Sequence, residues 1–116
     1  MTLDDYEAFC LSLPASTLSV QWGGTHVYKV GGKMFAMHGG EAAAPTFKAS
    51  DMAFELLQET GVGVAAPYMQ RAKWIKLVSE DALSNEDLRA YLRQAHALIA
   101  ARLTRKARQE LGLSPP

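Results

Sequence analysis

The order of periodic segments predicts an α+β domain: an N-terminal helix, an antiparallel β-meander, a helix that interrupts the sheet, a long C-terminal helix and a short basic terminal helix. Three observations predict it. Leu3, Tyr6, Phe9, Cys10 and Leu13 recur at the spacing of one helix face. Glycine doublets at 23–24, 31–32 and 39–40 bracket six-residue segments rich in Val, Tyr, Phe and Met, the punctuation of a meander. Leu88, Tyr91, Leu92, Ala95, Leu98, Ile99 and Leu103 then restore helical spacing over the C-terminal third.

Each element follows from local chemistry. Thr2 is placed to cap the first helix, and Pro14 stops it. Glycine doublets suit two-residue hairpin turns because both central positions adopt positive φ without a steric penalty. With Gly31-Gly32 as such a turn, Val30 pairs with Lys33, Lys29 with Met34, Tyr28 with Phe35 and Val27 with Ala36. Tyr28, Val30, Phe35 and Met37 then share the core face, while Val27, Lys29, Met34 and Ala36 share the other. Thr46-Phe47-Lys48 forms a further short strand, and Ser50 caps a helix with Met52, Ala53, Leu56 and Leu57 inward and Gly61 at its end. Residues 61–72 read as irregular before Trp74-Ile75-Lys76-Leu77-Val78 resumes strand character. Ser84 with Asp87 resembles a capping box at the start of the long helix, and Thr104 caps the terminal one, which ends at Gly112. The expected organisation is a single domain over residues 1–112 and a frayed tail over 113–116.

Composition bounds the function. A chain of 116 residues with 48% apolar residues holds one core, and no apolar run approaches the roughly 18 residues of a membrane span. The opening Met1-Thr2-Leu3-Asp4-Asp5 is acidic where a secretory signal is basic, so the expected location is the cytoplasm and no membrane partner is expected. Cys10 is the single thiol and falls on the apolar stripe of the first helix, where it reads as a core residue. Twelve Lys+Arg balance twelve Asp+Glu, but residues 1–60 hold three of the cations and residues 61–116 hold nine.

Catalysis and metal binding find little support. His26, His38 and His96 are scattered over two strands and a helix, without metal-ligand spacing. His38 and Glu41 are separated by Gly39-Gly40, which reads as a surface turn. Gly61-Val62-Gly63-Val64-Ala65-Ala66 matches a dinucleotide fingerprint formally, but it follows a helix and precedes Pro67. The expectation is a non-enzymatic protein with no cofactor and no metal.

Two basic regions stand out. Arg102, Arg105, Lys106 and Arg108 crowd the C-terminal end, where they form either a phosphate-binding patch or a solvated helix terminus. Tyr68, Arg71, Lys73, Trp74 and Lys76 interleave aromatic and cationic groups as nucleic-acid sites do; a half-buried edge strand with snorkelling lysines gives the same pattern. Alternation puts Trp74 and Lys76 on one strand face and Lys73 with Ile75 and Leu77 on the other.

The run Val27-Tyr28-Lys29-Val30-Gly31-Gly32-Lys33-Met34-Phe35-Ala36 resembles the signature hairpin of the MmcQ/YjbR-like proteins. Pro67-Tyr68-Met69 followed by Lys73-Trp74, and the closing helix with its basic extension from Leu103 to Arg108, occur in the matching order. The resemblance runs from the first helix to about residue 111. It implies a CyaY-like α+β fold, with an N-terminal helix, an antiparallel sheet and helices packed on one face, in a family described as candidate DNA-binding proteins. Two departures matter. Thr104 stands where the family commonly has proline, and the first helix carries only Asp4, Asp5 and Glu7 in place of the acidic ridge that binds iron in frataxin-type relatives of the fold.

The expected function is weak, sequence-nonspecific DNA binding through phosphate contacts from Arg102, Arg105, Lys106 and Arg108. Arg71, Lys73, Trp74 and Lys76 form a second contact region. The alternative is a protein or peptide interaction module, or a homodimer, that uses an exposed sheet face or edge strand.

Overall fold

The first helix, α1 (Leu3–Ser12), starts where the Thr2 hydroxyl accepts the Asp5 N–H at 3.2 Å, with Asp4 and Asp5 complementing the helix dipole in its first turn. It buries Tyr6 and Cys10. In this computed structural model, which describes residues 1–40 and 43–113, the chain continues through β1 (Ser16–Gln21), β2 (Thr25–Val30), β3 (Lys33–His38) and β4 (Thr46–Lys48). Next come α2 (Asp51–Glu59), β5 (Gly63–Ala65), β6 (Trp74–Leu77), α3 (Asn85–Ala100) and α4 (Arg105–Glu110). The glycine doublets bound β2 and β3 as expected. The six strands form one antiparallel sheet in the order β1-β2-β3-β4-β6-β5.

Helices α1, α2 and α3 cover one face of that sheet. Tyr6, Tyr28, Phe35, Phe47, Ile75, Leu77, Leu88 and Leu92 are fully buried between them, the main core of an α+β domain. Among the described residues the other face has no helix and gathers a small cluster of Val27, Met37, Ala66 and Trp74, with Met34 and Met69 against it. The expected caps form: Ser50, Ser84 and Thr104 each accept the N–H three residues on. No helix among the described residues is long and apolar enough to cross a membrane.

Three expectations are corrected. Val30 pairs with Lys33 and Lys29 with Met34 as the turn dictates, but a β-bulge follows, so Tyr28 pairs with Ala36 and Val27 with Met37. The extra residue in β3 turns its alternation over. Ala36 thereby joins Tyr28, Val30 and Phe35 in the main core, and Met37 moves to the uncovered face beside Val27. In α2 Ala53 and Leu57 are buried as expected, but Phe54 is buried with them, while Met52 is 79% exposed and Leu56 is also exposed; the large ring of Phe54 takes the place on the inward stripe expected for those two. The stretch expected to be irregular contains β5. Gly63 permits it, because a Cβ there would lie 2.8 Å from Ile75 Cγ1 of the neighbouring strand. Of the expected tail, Leu113 packs against the core, and residues 114–116 lie outside the described residues.

Candidate nucleic-acid interface

Lys48 ends β4 and pairs across the ladder with Trp74, the first residue of β6. The Ala49 N–H donates to the Lys73 carbonyl at 2.9 Å, which brings the backbones of the two segments together at one end of the sheet. Lys73 has a left-handed backbone, φ 59, and its ammonium lies 5.0 Å from the centre of the Phe54 ring, a cation–π contact with α2. Helix α3 stops at the same end. Leu103, just beyond it, packs on Gly31 in the β2–β3 turn so tightly that a Cβ on Gly31 would lie 2.6 Å from Leu103 Cδ2. Arg102 is carried there with it.

These positions are electrically coupled. Lys48 is only 6% exposed, and its ammonium donates to the Ala49 carbonyl at 3.1 Å. Burial pushes its pKa down, the Arg102 charge lowers it further, Asp51 opposes the shift, and Lys73 adds to it. Cations from β4, the β5–β6 loop and the segment after α3 therefore converge. Lys48 carries no basic neighbour in sequence, so charge runs could not reveal it. The one available signal was alternation, which sets Lys48 on the face opposite the core residue Phe47.

The sequence-predicted residues separate into three groups. Arg102, Arg105 and Lys106 are exposed, as is Arg71 in the β5–β6 loop. Lys106 reaches toward Glu110 at 4.0 Å across one helical turn. Arg108, expected as a phosphate contact, is instead buried, and its Nη1 donates to the Ala100 carbonyl at 2.6 Å. It ties α4 to the C-terminal end of α3. Trp74, expected to offer an aromatic face, is 4% exposed in the small cluster. Lys76 lies opposite Thr46 and Val64 on the uncovered face, away from Lys73. The second basic region is thus divided: Lys73 lies at the Lys48 end of the sheet, and Lys76 lies further along on the uncovered face.

Several other polar side chains are engaged structurally. Glu7 accepts hydrogen bonds from His26 Nδ1 at 2.7 Å and from the Tyr28 hydroxyl at 3.2 Å. His96 Nε2 donates to the Pro14 carbonyl at 2.7 Å, tying α3 to the end of α1. Burial pushes the Cys10 thiol pKa well above its ordinary value. Among the described residues no group of three or more His, Cys, Asp or Glu side chains is placed to hold a metal ion. Glu41, the sequence partner considered for His38, lies outside the described residues.

Comparison with known proteins agrees with this architecture. No curated protein matches the chain. A crystal structure of Deinococcus radiodurans protein DR2400, which carries a DUF419 domain, superposes with a TM-score of 0.84 at 24% identity, covering 97% of this chain and 89% of that one. That likeness is one of fold. The family model described as YjbR matches residues 11–98, a span from the end of α1 nearly to the end of α3 that includes the signature hairpin, β6 and Lys48. By that match the chain belongs to the YjbR family.

Proposed function

We propose that this protein binds DNA weakly and without sequence preference, and without catalysis, through the end of the sheet where Lys73 and Arg102 flank the buried Lys48. Arg71, Arg105 and Lys106 extend the contact. The observation that carries this reading is the convergence itself. The charges of Arg102 and Lys73 both push the pKa of the buried Lys48 down there, and among the described residues none of Arg71, Lys73, Arg102 or Arg105 has a carboxylate within ion-pair distance. A polyphosphate chain relieves that repulsion and releases its own counterions. The net charge of zero supplies no long-range attraction, so binding is local and weak. Phosphate contacts of this kind position a duplex without reading bases.

Fluorescence anisotropy of a labelled duplex at several salt concentrations tests the reading. Expected is a dissociation constant of about 1–100 μM at physiological salt, with a log–log salt slope near −3 for about three phosphates. Arg102→Ala/Arg105→Ala should flatten the slope by about two units. An unchanged slope in that variant, or equal affinity for polyglutamate, would sink it.

A second reading rests on β1. This edge strand, Ser16–Gln21, has no charged residue and no proline, and it exposes Leu18 and Val20. Edges of that kind accept an added strand from a peptide or a second copy. Light scattering after size exclusion distinguishes the readings: a dimer that Val20→Lys dissociates favours the edge, whereas a monomer unaffected by Val20→Lys does not.

A further inference from the structure

The uncovered sheet face holds a cavity of about 430 Å³, distinct from the basic end. Its apolar lining includes Met37 on β3 and Met69 in the β5–β6 loop, which packs back onto the strands. Trp22 and Tyr68 also line it, one from the β1–β2 turn and one from the β5–β6 loop. Both aromatic residues have left-handed backbones, φ 46 and φ 65. Bulky residues rarely adopt that conformation, and where they do the strain marks ligand clamps and active sites. Folding gains little in return, because Trp22 is 53% exposed and Tyr68 is fully exposed. Two aromatic residues therefore line one cavity, in backbone conformations that their own burial does not explain.

The polar lining is sparse and directional. Lys76 is the charged residue among those lining the cavity, and among the described residues no carboxylate lies within ion-pair distance of it. The Thr25 hydroxyl donates to the Trp22 carbonyl at 3.4 Å, and the Thr46 hydroxyl donates to the Ala44 carbonyl at 3.0 Å. Each spends its proton on the protein and leaves oxygen lone pairs to accept. The cavity thus offers aromatic and thioether surface, hydroxyl acceptors and one cation. Its volume lies at the lower end of small-molecule sites, which span about 300–1,000 Å³.

We propose that this cavity binds a small planar aromatic molecule bearing one carboxylate or phosphate, with its ring against Trp22 and Tyr68 and its anion on Lys76. The site is separate from the DNA reading, and neither depends on the other.

Amide shifts of the ¹⁵N-labelled full chain test it, with four probes at millimolar concentration: indole-3-carboxylate, adenosine 5′-monophosphate, the neutral indole-3-carboxamide and the non-aromatic cyclohexanecarboxylate. At least one aromatic anion should shift the amides around Trp22, Thr25, Tyr68 and Lys76, and which one does so assigns carboxylate or phosphate. The neutral and non-aromatic probes should bind at least about five-fold more weakly. Lys76→Gln should cost the anion the same factor and leave the carboxamide unchanged. Tyr68→Gly, which suits positive φ, should abolish binding without lowering Tm, while Arg102→Ala/Arg105→Ala should leave binding intact. Absence of localised shifts with both aromatic anions, equal affinity for the carboxamide, or undiminished binding to Tyr68→Gly would each overturn the proposal.

Discussion

Arg108 donates to the carbonyl of Ala100 across 2.6 Å, so one of the four C-terminal arginines and lysines is spent inside the fold before any ligand arrives. Ala100 closes α3, and its carbonyl, a helix-end acceptor, also takes the Leu103 N–H at 3.1 Å in the turn beyond the helix. The remaining three, Arg102, Arg105 and Lys106, are at the surface.

Replacing Arg108 therefore separates architecture from binding. Arg108→Met is expected to destabilise the fold by about 2 kcal/mol, the loss of a buried charge-assisted hydrogen bond. Arg105→Ala and Lys106→Ala should stay within about 0.5 kcal/mol of the parent. Urea unfolding monitored by circular dichroism measures all three.

The two glycines of the β2–β3 turn should respond differently to alanine. Both have positive φ, 59 at Gly31 and 79 at Gly32, but only Gly31 faces Leu103, and nothing lies within 4 Å of a Cβ on Gly32. Gly32→Ala should cost about 1–2 kcal/mol, the left-handed backbone penalty. Gly31→Ala should cost that and a further amount that shrinks when Leu103→Ala is introduced with it. A double-mutant cycle in urea isolates the difference.

His38 makes stability fall in mild acid. The ring is 2% exposed, meets Tyr6 edge-on, and has no hydrogen-bond partner on either nitrogen among the described residues. Burial lowers its pKa against the opposing effect of Glu80, whose carboxylate stands 3.6 Å away. In the unfolded chain the imidazole gains its proton near pH 6.5. Below that pH the unfolded state binds more protons than the folded one, so stability is fully present above about 6.5 and declines as pH falls toward the lowered folded value. His38→Gln should flatten that decline in chemical unfolding midpoints measured between about pH 7 and pH 5.

Much of this fold was legible because its elements are bounded by residues with strong local chemistry. Thr2, Ser50, Ser84 and Thr104 cap helices as their side chains dictate, and the glycine doublets delimit β2 and β3. The bulge in β3 was not legible, since nothing in Met34-Phe35-Ala36 separates it from regular alternation; burying Phe35 and Ala36 together is a tertiary outcome. β5 has three residues, one of them glycine, and exists only through pairing with β6. The candidate site divides the same way. Arg102, Arg105 and Lys106 announce themselves as a charge run. Lys48 comes within range of Arg102 only through the tertiary fold, and Trp74 loses its apparent role to burial that sequence does not encode locally.

Cys10 should behave as a core residue. It is fully buried in α1, and burial raises its thiol pKa. Ellman's reagent should leave it unmodified in the native protein and titrate one thiol per chain in denaturant, with a modification rate at intermediate urea that follows unfolding. Rapid labelling in native buffer would contradict the packing described for α1.

The most direct measurement of the proposed interface is an amide-shift titration of the ¹⁵N-labelled protein with a short DNA duplex at low salt. Shifts should concentrate at Lys48, Ala49, Lys73 and the segment from Arg102 to Lys106, and added salt should reverse them. Shifts centred instead on β1 or on the cavity of the uncovered face, or none at low salt, would contradict the assignment of DNA binding to the basic end of the sheet.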